Sequence, residues 1–391
     1  MVRTGLGRIL HQPDLIKGSG RLGLLYNQAS VDSHLRSAPD VVEQAFPGRL
    51  KALFGPQHGV YCTEQDNMIE TGHQVHPRLG IPVFSLYSET RKPDPHMLES
   101  IDTVLVDLQD VGTRVYTFAT TVLYVMEICA EAGKAVIVLD RPNPINGRDV
   151  EGNILDMHYS SFVGPYPLPM RHGMTLGELM TLYNEVFGIG CALEVVATAG
   201  WDRRAYFEAT RLPWVMPSPN MPTVETSVVY PGQVVLEGTN LSEGRGTTRP
   251  FEMFGAPYLE PERIAREIEP GALGGAVLRE IEFRPAFNKW AGRVCKGFQI
   301  HVSDRGEFRP YRTTLALLAA IIKLHRDDFE WSQPPYEYVF DKLPADVILG
   351  SGDVREALEQ GKSFADMEGS WEKGLEEFKR IRSGFLLYPE E

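Results

Sequence analysis

The sequence predicts an α/β fold, namely a Rossmann-like, doubly wound and mostly parallel sheet with a second, smaller α+β domain. Short and nearly continuous apolar runs recur through the first half of the chain, as strands covered on both faces require. Helical patterns lie between these runs, and alternation of strand and helix favours a parallel sheet. The alternation changes after about residue 230, which predicts the second domain.

Six apolar runs of the first half are predicted strands. They are Arg21–Tyr26, Leu50–Phe54, Pro82–Tyr87, Thr103–Gln109, Ala135–Asp140 and Ala192–Thr198. Helices are predicted at Tyr116–Gly133 and Thr175–Gly188. The first ends at Gly133, a residue typical of a helix C-cap, and the second opens with TLGE, the pattern of a capping box.

The second half mixes predicted strands and helices. The strands are Val234–Glu237 and Gly297–Val302, and the helices are Pro261–Glu267, Thr313–Asp328, Asp353–Gln360 and Phe364–Arg382, the last two with Ser351 or Gly352 and Ser363 as caps. A proline-rich tract, LPWVMPSPNMPT, precedes this half and is typical of a domain boundary. The predicted domains are therefore residues 1–228 and 229–391.

Charge and composition exclude several classes of partner. With 39 Lys and Arg against 52 Asp and Glu, the chain has a net charge of −13, which repels nucleic acid and anionic membranes. No apolar run approaches the ~20 residues of a membrane span. The four cysteines show no metal or disulfide spacing and predict free thiols. The sequence therefore predicts a cytoplasmic protein, although a chain with a removed export leader would read the same.

Polar residues are dense where the predicted strands end, and ligands bind at that edge of a parallel sheet. The longest such segment is GPQHGVYCTEQDNMIETGH, from Gly55 to His73, which has neither helical nor strand periodicity. The others are Asn27 and Gln28, YSETRK (87–92), DLQDVGTRVY (107–116) and DRPNPIN (140–146). These segments together predict a binding site at the sheet edge.

A structural role is the alternative for each of these residues. Asp107 and Asp110 have the position of helix caps, Arg141 has Asp140 beside it for an ion pair, and asparagines around Pro144 suit a turn. Glu64 is a stronger candidate for chemistry, because partial burial beside Tyr61 would raise its pKa as a general acid requires. Its alternative is a solvated loop glutamate.

The second half contributes one dense motif, EGTNLSEGRGTTRPFE, from Glu237 to Glu252. Its glycines allow close approach of backbone to a ligand, and Glu237, Asn240, Glu243 and Arg245 offer hydrogen bonds. A glycine-rich hairpin is the structural alternative. The chain lacks phosphate-loop and dinucleotide fingerprints, a serine elbow and metal-ligand spacing, so neither cofactor nor metal is expected. Carboxylates, amides, arginines and aromatics remain, which favour carbohydrate binding with acid/base cleavage.

Seven blocks of the sequence in order resemble the NamZ-type exo-β-N-acetylmuramidases, a glycoside hydrolase family formerly described as a domain of unknown function. The blocks are GPQHGVYCTEQDNMIETGH, IPVFSLYSETRKP, DLQDVGTRVYTF, LDRPNPING with VEGNIL, PYPLPMRHGMTLGEL, PSPNMPT and EGTNLSEGRGTTRPFEMFGAPY. The resemblance implies a Rossmann-like N-terminal domain, a smaller C-terminal domain and a cleft between them that takes a terminal N-acetylmuramic acid from peptidoglycan fragments.

The resemblance also implies a set of site residues. The matching positions are His58, Glu64, Asp107, Gln109, Asp110, Arg114, Tyr116, Asp140, Arg141, Asn143, Arg171, His172, Asn220, Glu237, Asn240, Glu243 and Arg245, and Gln57 beside them is a further substrate-binding candidate. One position departs from the family pattern, since many members have Glu where this chain has Gln57. A glutamine cannot be a general acid, so the acid lies elsewhere or the activity differs.

We therefore predict Glu64 as the general acid, with Glu237, Glu243 or Asp110 as the second carboxylate. Arg114, Arg141, Arg171 or Arg245 is predicted to bind the lactyl carboxylate of the sugar, because a guanidinium meets a carboxylate in two parallel hydrogen bonds. Tyr116 or Tyr61 is predicted to stack against the sugar ring. Two rival functions are a nucleotide- or phosphate-using transferase on the same fold and a non-catalytic muropeptide-binding protein. The sequence does not specify the oligomeric state.

Overall fold

The structure is a computed structural model that describes residues 2–16, 18, 20–269 and 271–390. Its strands are β1 (Leu22–Tyr26), β2 (Leu50–Gly55), β3 (Gln74–Val75), β4 (Pro82–Ser85), β5 (Thr103–Asp107), β6 (Ala135–Leu139), β7 (Glu151–Ile154), β8 (Pro169–Arg171), β9 (Ala192–Val196), β10 (Met253–Ala256), β11 (Ala276–Phe283) and β12 (Cys295–Val302).

Helices cover both faces of the sheet and build the second half. They are α1 (Gly5–His11), α2 (Ala38–Ala45), α3 (Phe118–Glu131), α4 (Leu176–Val186), α5 (Phe207–Thr210), α6 (Val224–Gln233), α7 (Pro261–Glu267), α8 (Pro310–Leu324), α9 (Pro344–Leu349), α10 (Gly352–Glu359) and α11 (Phe364–Arg382). The predicted helices of the second half are confirmed, with α8 beginning and ending earlier than Thr313–Asp328.

The central sheet has the order β3-β4-β2-β1-β5-β6-β9 among the described residues. Its pairs are parallel except for the short edge strand β3, which is antiparallel to β4. All six strands predicted from apolar runs are present, and the α/β fold class is confirmed. The order reverses at β1, which lies between β2 and β5, so loops leave the carboxyl ends of these strands in opposite directions and frame a crevice.

The second half contains an antiparallel sheet of order β10-β12-β11, while β7 and β8 form a separate hairpin. The predicted strand at Val234–Glu237 is wrong, because this segment is a 3-10 turn, Val234–Gly238, that continues α6. Its residues Val234, Val235 and Leu236 are buried, and a short buried apolar run has the same sequence appearance in a strand and in a helical turn.

One apolar core joins the two halves. Residues of α3 and of α8 belong to the same buried cluster, and α6 packs along α8. The predicted boundary between residues 228 and 229 falls inside α6 and stays a prediction. Because the core is continuous, loops from the two halves are held in a fixed relation where they meet.

The helix caps predicted from the sequence at Thr175, Ser351 and Ser363 are confirmed. The Thr175 hydroxyl accepts a hydrogen bond from the Glu178 amide, and the Glu178 carboxylate accepts one from the Thr175 amide, which completes the capping box of α4. Ser351 and Ser363 cap α10 and α11. Within the described ranges, no helix is both long enough and apolar enough to cross a membrane. The four cysteines are buried and unpaired.

Candidate active site

A cavity lies where the loops after β2 and β5 meet three segments of the second half. It holds about 470 Å³ of space including its open mouth, of which about 40 Å³ admits the centre of a water molecule. That is room for a few waters, so a bound sugar requires the surrounding loops to shift. The lining residues are Gln57, His58, Asn67, Val115, Tyr116, Thr117, Phe118, Val163, Ser218, Asn220, Met221, Tyr230, Glu237, Arg245, Phe251, Tyr336 and Glu337.

Glu237, at the end of the turn that follows α6, is an ionised carboxylate of this cavity. Its oxygens accept hydrogen bonds from Arg245 Nη2 at 2.6 Å, the Tyr336 hydroxyl at 2.7 Å and Asn67 Nδ2 at 3.1 Å. Burial raises the pKa of Glu237, but the charge and hydrogen bond of Arg245, the hydrogen bond of Tyr336 and the charge of Lys289 more than offset it, so the pKa lies below the ordinary 4.5. Glu237 therefore carries its negative charge at neutral pH.

Arg245 is held on three sides. Besides Glu237, its Nε lies 3.2 Å from Glu243 Oε1, and its Nη1 donates to the Gln65 carbonyl at 3.2 Å. Glu243 in turn lies 2.9 Å from Lys289 Nζ. Glu243 does not line the cavity and acts on it only through the cation that it orients.

Glu337 is a second carboxyl group of the cavity, and sequence reasoning missed it. Its Oε2 accepts a hydrogen bond from the Tyr87 hydroxyl at 2.7 Å, and its Oε1 accepts one from Gln57 Nε2 at 2.9 Å. Burial raises the pKa of Glu337, the Tyr87 and Gln57 hydrogen bonds lower it, and the nearby charge of Glu237 raises it again. The net direction is upward, opposite to that of Glu237.

The backbone at Glu337 is strained. Tyr336 and Val339 exchange backbone hydrogen bonds of 3.0 and 2.9 Å across a tight turn whose central residues, Glu337 and Tyr338, have φ of 43° and 65°. Such turns favour Asn and Gly, and the left-handed region costs another residue about 1–2 kcal/mol. The sequence PPYEYV carries no turn signal of this kind, so only the structure reveals why this glutamate is inside.

His58 enters the cavity as a neutral ring. Its Nδ1 lies 2.6 Å from the Glu64 carbonyl oxygen, which can only accept, so Nδ1 carries the hydrogen and Nε2 is left as an acceptor. Burial, together with the charge of Arg245, lowers the pKa of His58 to about 4. The ring is therefore suited to accept a hydrogen bond from a hydroxyl at neutral pH.

Aromatic rings form the apolar wall. Tyr116 and Tyr230 meet edge to face at 5.9 Å, and Tyr230 and Phe251 do so at 4.9 Å. Ring faces of this kind contact the C–H surfaces of sugars while polar groups bind the hydroxyls. Tyr116 thus lies where the sequence predicted an aromatic, whereas Tyr61 is 56% exposed and does not line the cavity.

The structure brings six of the sequence-predicted residues to the cavity. They are Gln57, His58, Tyr116, Asn220, Glu237 and Arg245. Asn220 also fastens the loop above, since its Nδ2 donates to the Gln65 carbonyl at 2.8 Å. The remaining predicted residues lie elsewhere, and most have partners inside the protein.

Three of the four predicted arginines are engaged by the scaffold. Arg141 makes two hydrogen bonds of 2.7 and 2.8 Å to the buried Asp107 carboxylate, not to its neighbour Asp140. Arg114 donates to the carbonyls of Leu168 and Ile348, and Arg171 donates to the Ile145 carbonyl and lies 3.3 Å from Asp149. These guanidiniums fix loops in place, and Arg245 is the predicted arginine that lines the cavity.

The predicted amides and Asp140 also have internal partners. Gln109 donates to the carbonyls of Asp110 and Pro142, Asn143 donates to the Met174 carbonyl, and Asn240 donates to the Asp328 carbonyl. Asp140 accepts hydrogen bonds from the Gly177 amide and the Tyr388 hydroxyl, which ties α4 and the C-terminal segment to β6. These side chains hold scaffold loops together, and Asp140 does so through Gly177 and Tyr388, not through the ion pair with Arg141 that was expected as its structural role.

Glu64 and Asp110, two of the predicted catalytic carboxylates, are outside the cavity lining. The Glu64 carboxylate accepts a hydrogen bond from the adjacent Thr63 hydroxyl, and the Glu64 backbone carbonyl accepts one from the cavity residue His58. Asp110 accepts a hydrogen bond from the Gly112 amide, lies 3.6 Å from His172 Nε2 and does not line the cavity. In the loop that follows β2, Gln57 and His58 line the cavity, whereas the half-buried Glu64 does not.

Two carboxyl groups of opposite pKa direction in one tyrosine-lined cavity are the kind of pair that hydrolysis of a glycoside uses. The family model "Exo-beta-N-acetylmuramidase NamZ, N-terminal" matches residues 22–225, and the corresponding C-terminal model matches residues 228–388. The chain belongs to this NamZ family.

A curated relative and two solved structures agree with this membership. The chain is 43% identical over 390 residues to the peptidoglycan β-N-acetylmuramidase NamZ of Bacillus subtilis (strain 168), covering 99% of this chain and 91% of that protein. It also resembles the crystal structures of two DUF1343 family proteins from Bacteroides fragilis NCTC 9343. One has a TM-score of 0.87 at 32% identity, covering 99% of both chains, and the other has 0.76 at 27%, covering all of both.

Proposed function

We propose that this protein removes terminal β-linked N-acetylmuramic acid from peptidoglycan fragments, and that the reaction takes place in the cavity between the two halves. The observation that carries the proposal is the presence of Glu237 and Glu337 in one cavity with opposite pKa directions. Hydrolysis of a glycoside needs one carboxyl group to protonate the leaving oxygen and one carboxylate to meet the positive charge at the anomeric carbon.

Glu237 is proposed as the ionised carboxylate of the pair. Three donors and the charge of Arg245 hold it ionised, so it is ready to stabilise an oxocarbenium-like centre or to activate water. The other carboxylates predicted from the sequence for this role, Glu243 and Asp110, do not line the cavity.

Arg245 is proposed to recognise the lactyl carboxylate. Its Nη1 is held by a single neutral acceptor, the Gln65 carbonyl at 3.2 Å, and a carboxylate is a stronger acceptor for a guanidinium. A sugar with the lactyl group would then displace the loop carbonyl from Arg245. The small substrate is thus a muropeptide or muramyl disaccharide, and the cytoplasmic location stays a prediction.

The test is hydrolysis of 4-nitrophenyl β-N-acetylmuramide beside 4-nitrophenyl β-N-acetylglucosaminide. We expect release of nitrophenol from the muramide at least tenfold faster, and a loss of roughly 10²–10⁴-fold in Glu237→Gln. If the muramide raises the melting temperature of the protein but is not hydrolysed, the protein binds the sugar without cleaving it. Stabilisation by nucleotide but not by muramide would favour a transferase.

A further inference from the structure

We propose that Glu337 is the general acid of this cavity and that Gln57 is a positioning residue that supports its carboxyl group in both protonation states. The inference rests on the proposed function and assigns roles within it. Two observations carry it, namely the strained turn that places Glu337 inside and the chain of hydrogen bonds from Thr117 through Gln57 to Glu337.

The backbone turn that places Glu337 in the cavity is energetically unfavourable for its two central residues. Both central residues of the turn, Glu337 and Tyr338, have positive φ, although neither is a residue type that favours it. Strained backbone persists where the surroundings over-determine it, and such sites cluster at active centres. The result is a carboxyl group 3% exposed that nevertheless lines the cavity.

The surroundings of Glu337 favour a retained proton. Its direct partners, Tyr87 and Gln57, are neutral, whereas Glu237 has a guanidinium at 2.6 Å. Arg91 is the cation whose charge opposes proton retention, and the charge of Glu237 supports it. The other titratable groups around Glu337 are phenols whose pKa burial raises, so they are neutral: Tyr87, Tyr230, Tyr336 and Tyr338.

Gln57 can form a hydrogen bond with Glu337 in either protonation state, and the bond to the ionised carboxylate is the stronger of the two. As placed, the Thr117 hydroxyl donates to Gln57 Oε1 at 2.5 Å and Gln57 Nε2 donates to Glu337 Oε1 at 2.9 Å. A half-turn of the amide reverses both bonds, so that protonated Glu337 donates to Gln57 Oε1 and Gln57 Nε2 donates to the Thr117 oxygen. An ionised glutamate at position 57 has no donor and would instead repel the ionised form of Glu337.

The proton step follows from this arrangement. When substrate binds, the glycosidic oxygen becomes the acceptor for the proton of Glu337, and it takes that proton while its bond to the anomeric carbon breaks. The bonding pair goes to the oxygen, the leaving sugar departs as an alcohol, and Glu337 becomes a carboxylate supported by Gln57 and Tyr87. Water adds its hydroxyl to the anomeric carbon. The proton that this water releases returns the two carboxyl groups to their starting state, in which Glu337 is protonated and Glu237 is ionised.

Leaving-group dependence tests the acid. Nitrophenolate leaves readily without a proton, whereas a sugar alkoxide does not. We expect Glu337→Gln to lose roughly 10²–10⁴-fold in kcat/KM on a β-muramyl-N-acetylglucosamine disaccharide and less than about tenfold on 4-nitrophenyl β-muramide. Glu330→Gln, an exposed control in the same half, is expected to match wild type on both. If wild type cleaves both substrates and Glu337→Gln loses equally on both, Glu337 is not the acid. Wild type that cleaves neither refutes the proposed function itself.

A pH profile tests the positioning role. The alkaline limb of kcat/KM on the disaccharide reports the general acid. Gln57 and Tyr87 donate to the carboxylate and lower its pKa, so Gln57→Ala and Tyr87→Phe are each expected to move that limb to higher pH. Gln57→Glu is expected to move it further, because the new carboxylate is a like charge. Gln333→Ala removes an exposed amide from the same segment and is expected to leave the limb in place. An unmoved limb in both Gln57→Ala and Gln57→Glu would overturn the role of Gln57.

Discussion

Two groups of buried charged residues lie near the carboxyl edge of the sheet. They differ in whether their hydrogen-bonding groups also border a cavity. In the scaffold group, Asp107 and Arg141 satisfy each other in two hydrogen bonds, and Asp140 is satisfied by Gly177 and Tyr388. In the cavity group, Glu237, Arg245 and Glu337 are hydrogen-bonded too, but they also line a space open to solvent.

The difference shows that polar density after a strand does not by itself specify a binding site. Buried charged groups must find partners, and the loops at the carboxyl edge supply these partners for one another. A residue becomes a candidate for chemistry when its hydrogen-bonding groups also border a cavity. Substitutions in the scaffold group should therefore change the stability of the protein, whereas substitutions in the cavity group should change its catalysis.

The largest expected effect is on stability, in the scaffold group. Arg141→Ala leaves the fully buried Asp107 carboxylate without its cation, which should lower the free energy of unfolding by about 3–5 kcal/mol. Urea denaturation measures it, and kcat/KM per folded molecule should stay within about threefold of wild type. Arg204→Ala removes an exposed pair with Asp202 and should change neither quantity measurably. A stable Arg141→Ala enzyme that has lost activity would place Arg141 in the site.

The next largest effect concerns Glu151, a scaffold residue whose raised pKa should affect stability and not catalysis. Burial raises the pKa of Glu151 on β7 to about 7, although its Oε1 accepts a hydrogen bond from the Arg312 amide in the first turn of α8. Because the folded pKa exceeds the ordinary 4.5, the folded state favours the protonated form. Stability from this group is therefore present below pH 4.5 and is lost as pH rises to 7.

Glu151→Gln cannot ionise, so its stability relative to wild type should grow by roughly 3 kcal/mol between pH 4.5 and pH 7. Urea denaturation across this range measures the difference. The alkaline limb of kcat/KM should not move, because Glu151 does not line the cavity. A relative stability that is independent of pH would mean that Glu151 is ionised in the folded protein near its ordinary pKa.

The smallest expected effect concerns Glu64. Its carboxylate accepts a hydrogen bond from the Thr63 hydroxyl and does not line the cavity, so Glu64→Gln should keep kcat/KM on both muramide substrates within about threefold. Glu237→Gln, assayed in parallel, is the matched control, because loss of a cavity carboxylate is expected to lower kcat/KM strongly. A loss of orders of magnitude in Glu64→Gln would restore the role that the sequence predicted and show that the loop after β2 turns inward on substrate binding.

Local patterns predicted most of the fold. The six apolar runs became β1, β2, β4, β5, β6 and β9, and the capping box at Thr175 formed because its partners are three residues apart. The strand predicted at Val234–Glu237 failed because burial alone does not distinguish a strand from a helical turn. For the cavity, motifs marked Gln57, His58, Tyr116, Asn220, Glu237 and Arg245 but not Asn67, Tyr336 or Glu337.

By itself, the sequence determined the alternation of strand and helix, the helix caps and the family, because each depends on residue spacing along the chain. Only the tertiary structure decided which polar residues border the cavity. Gln57 and Glu337 are 280 residues apart yet share a hydrogen bond of 2.9 Å. That contact depends on the packing of the two halves around one core, and nothing in the local sequence of either residue encodes it.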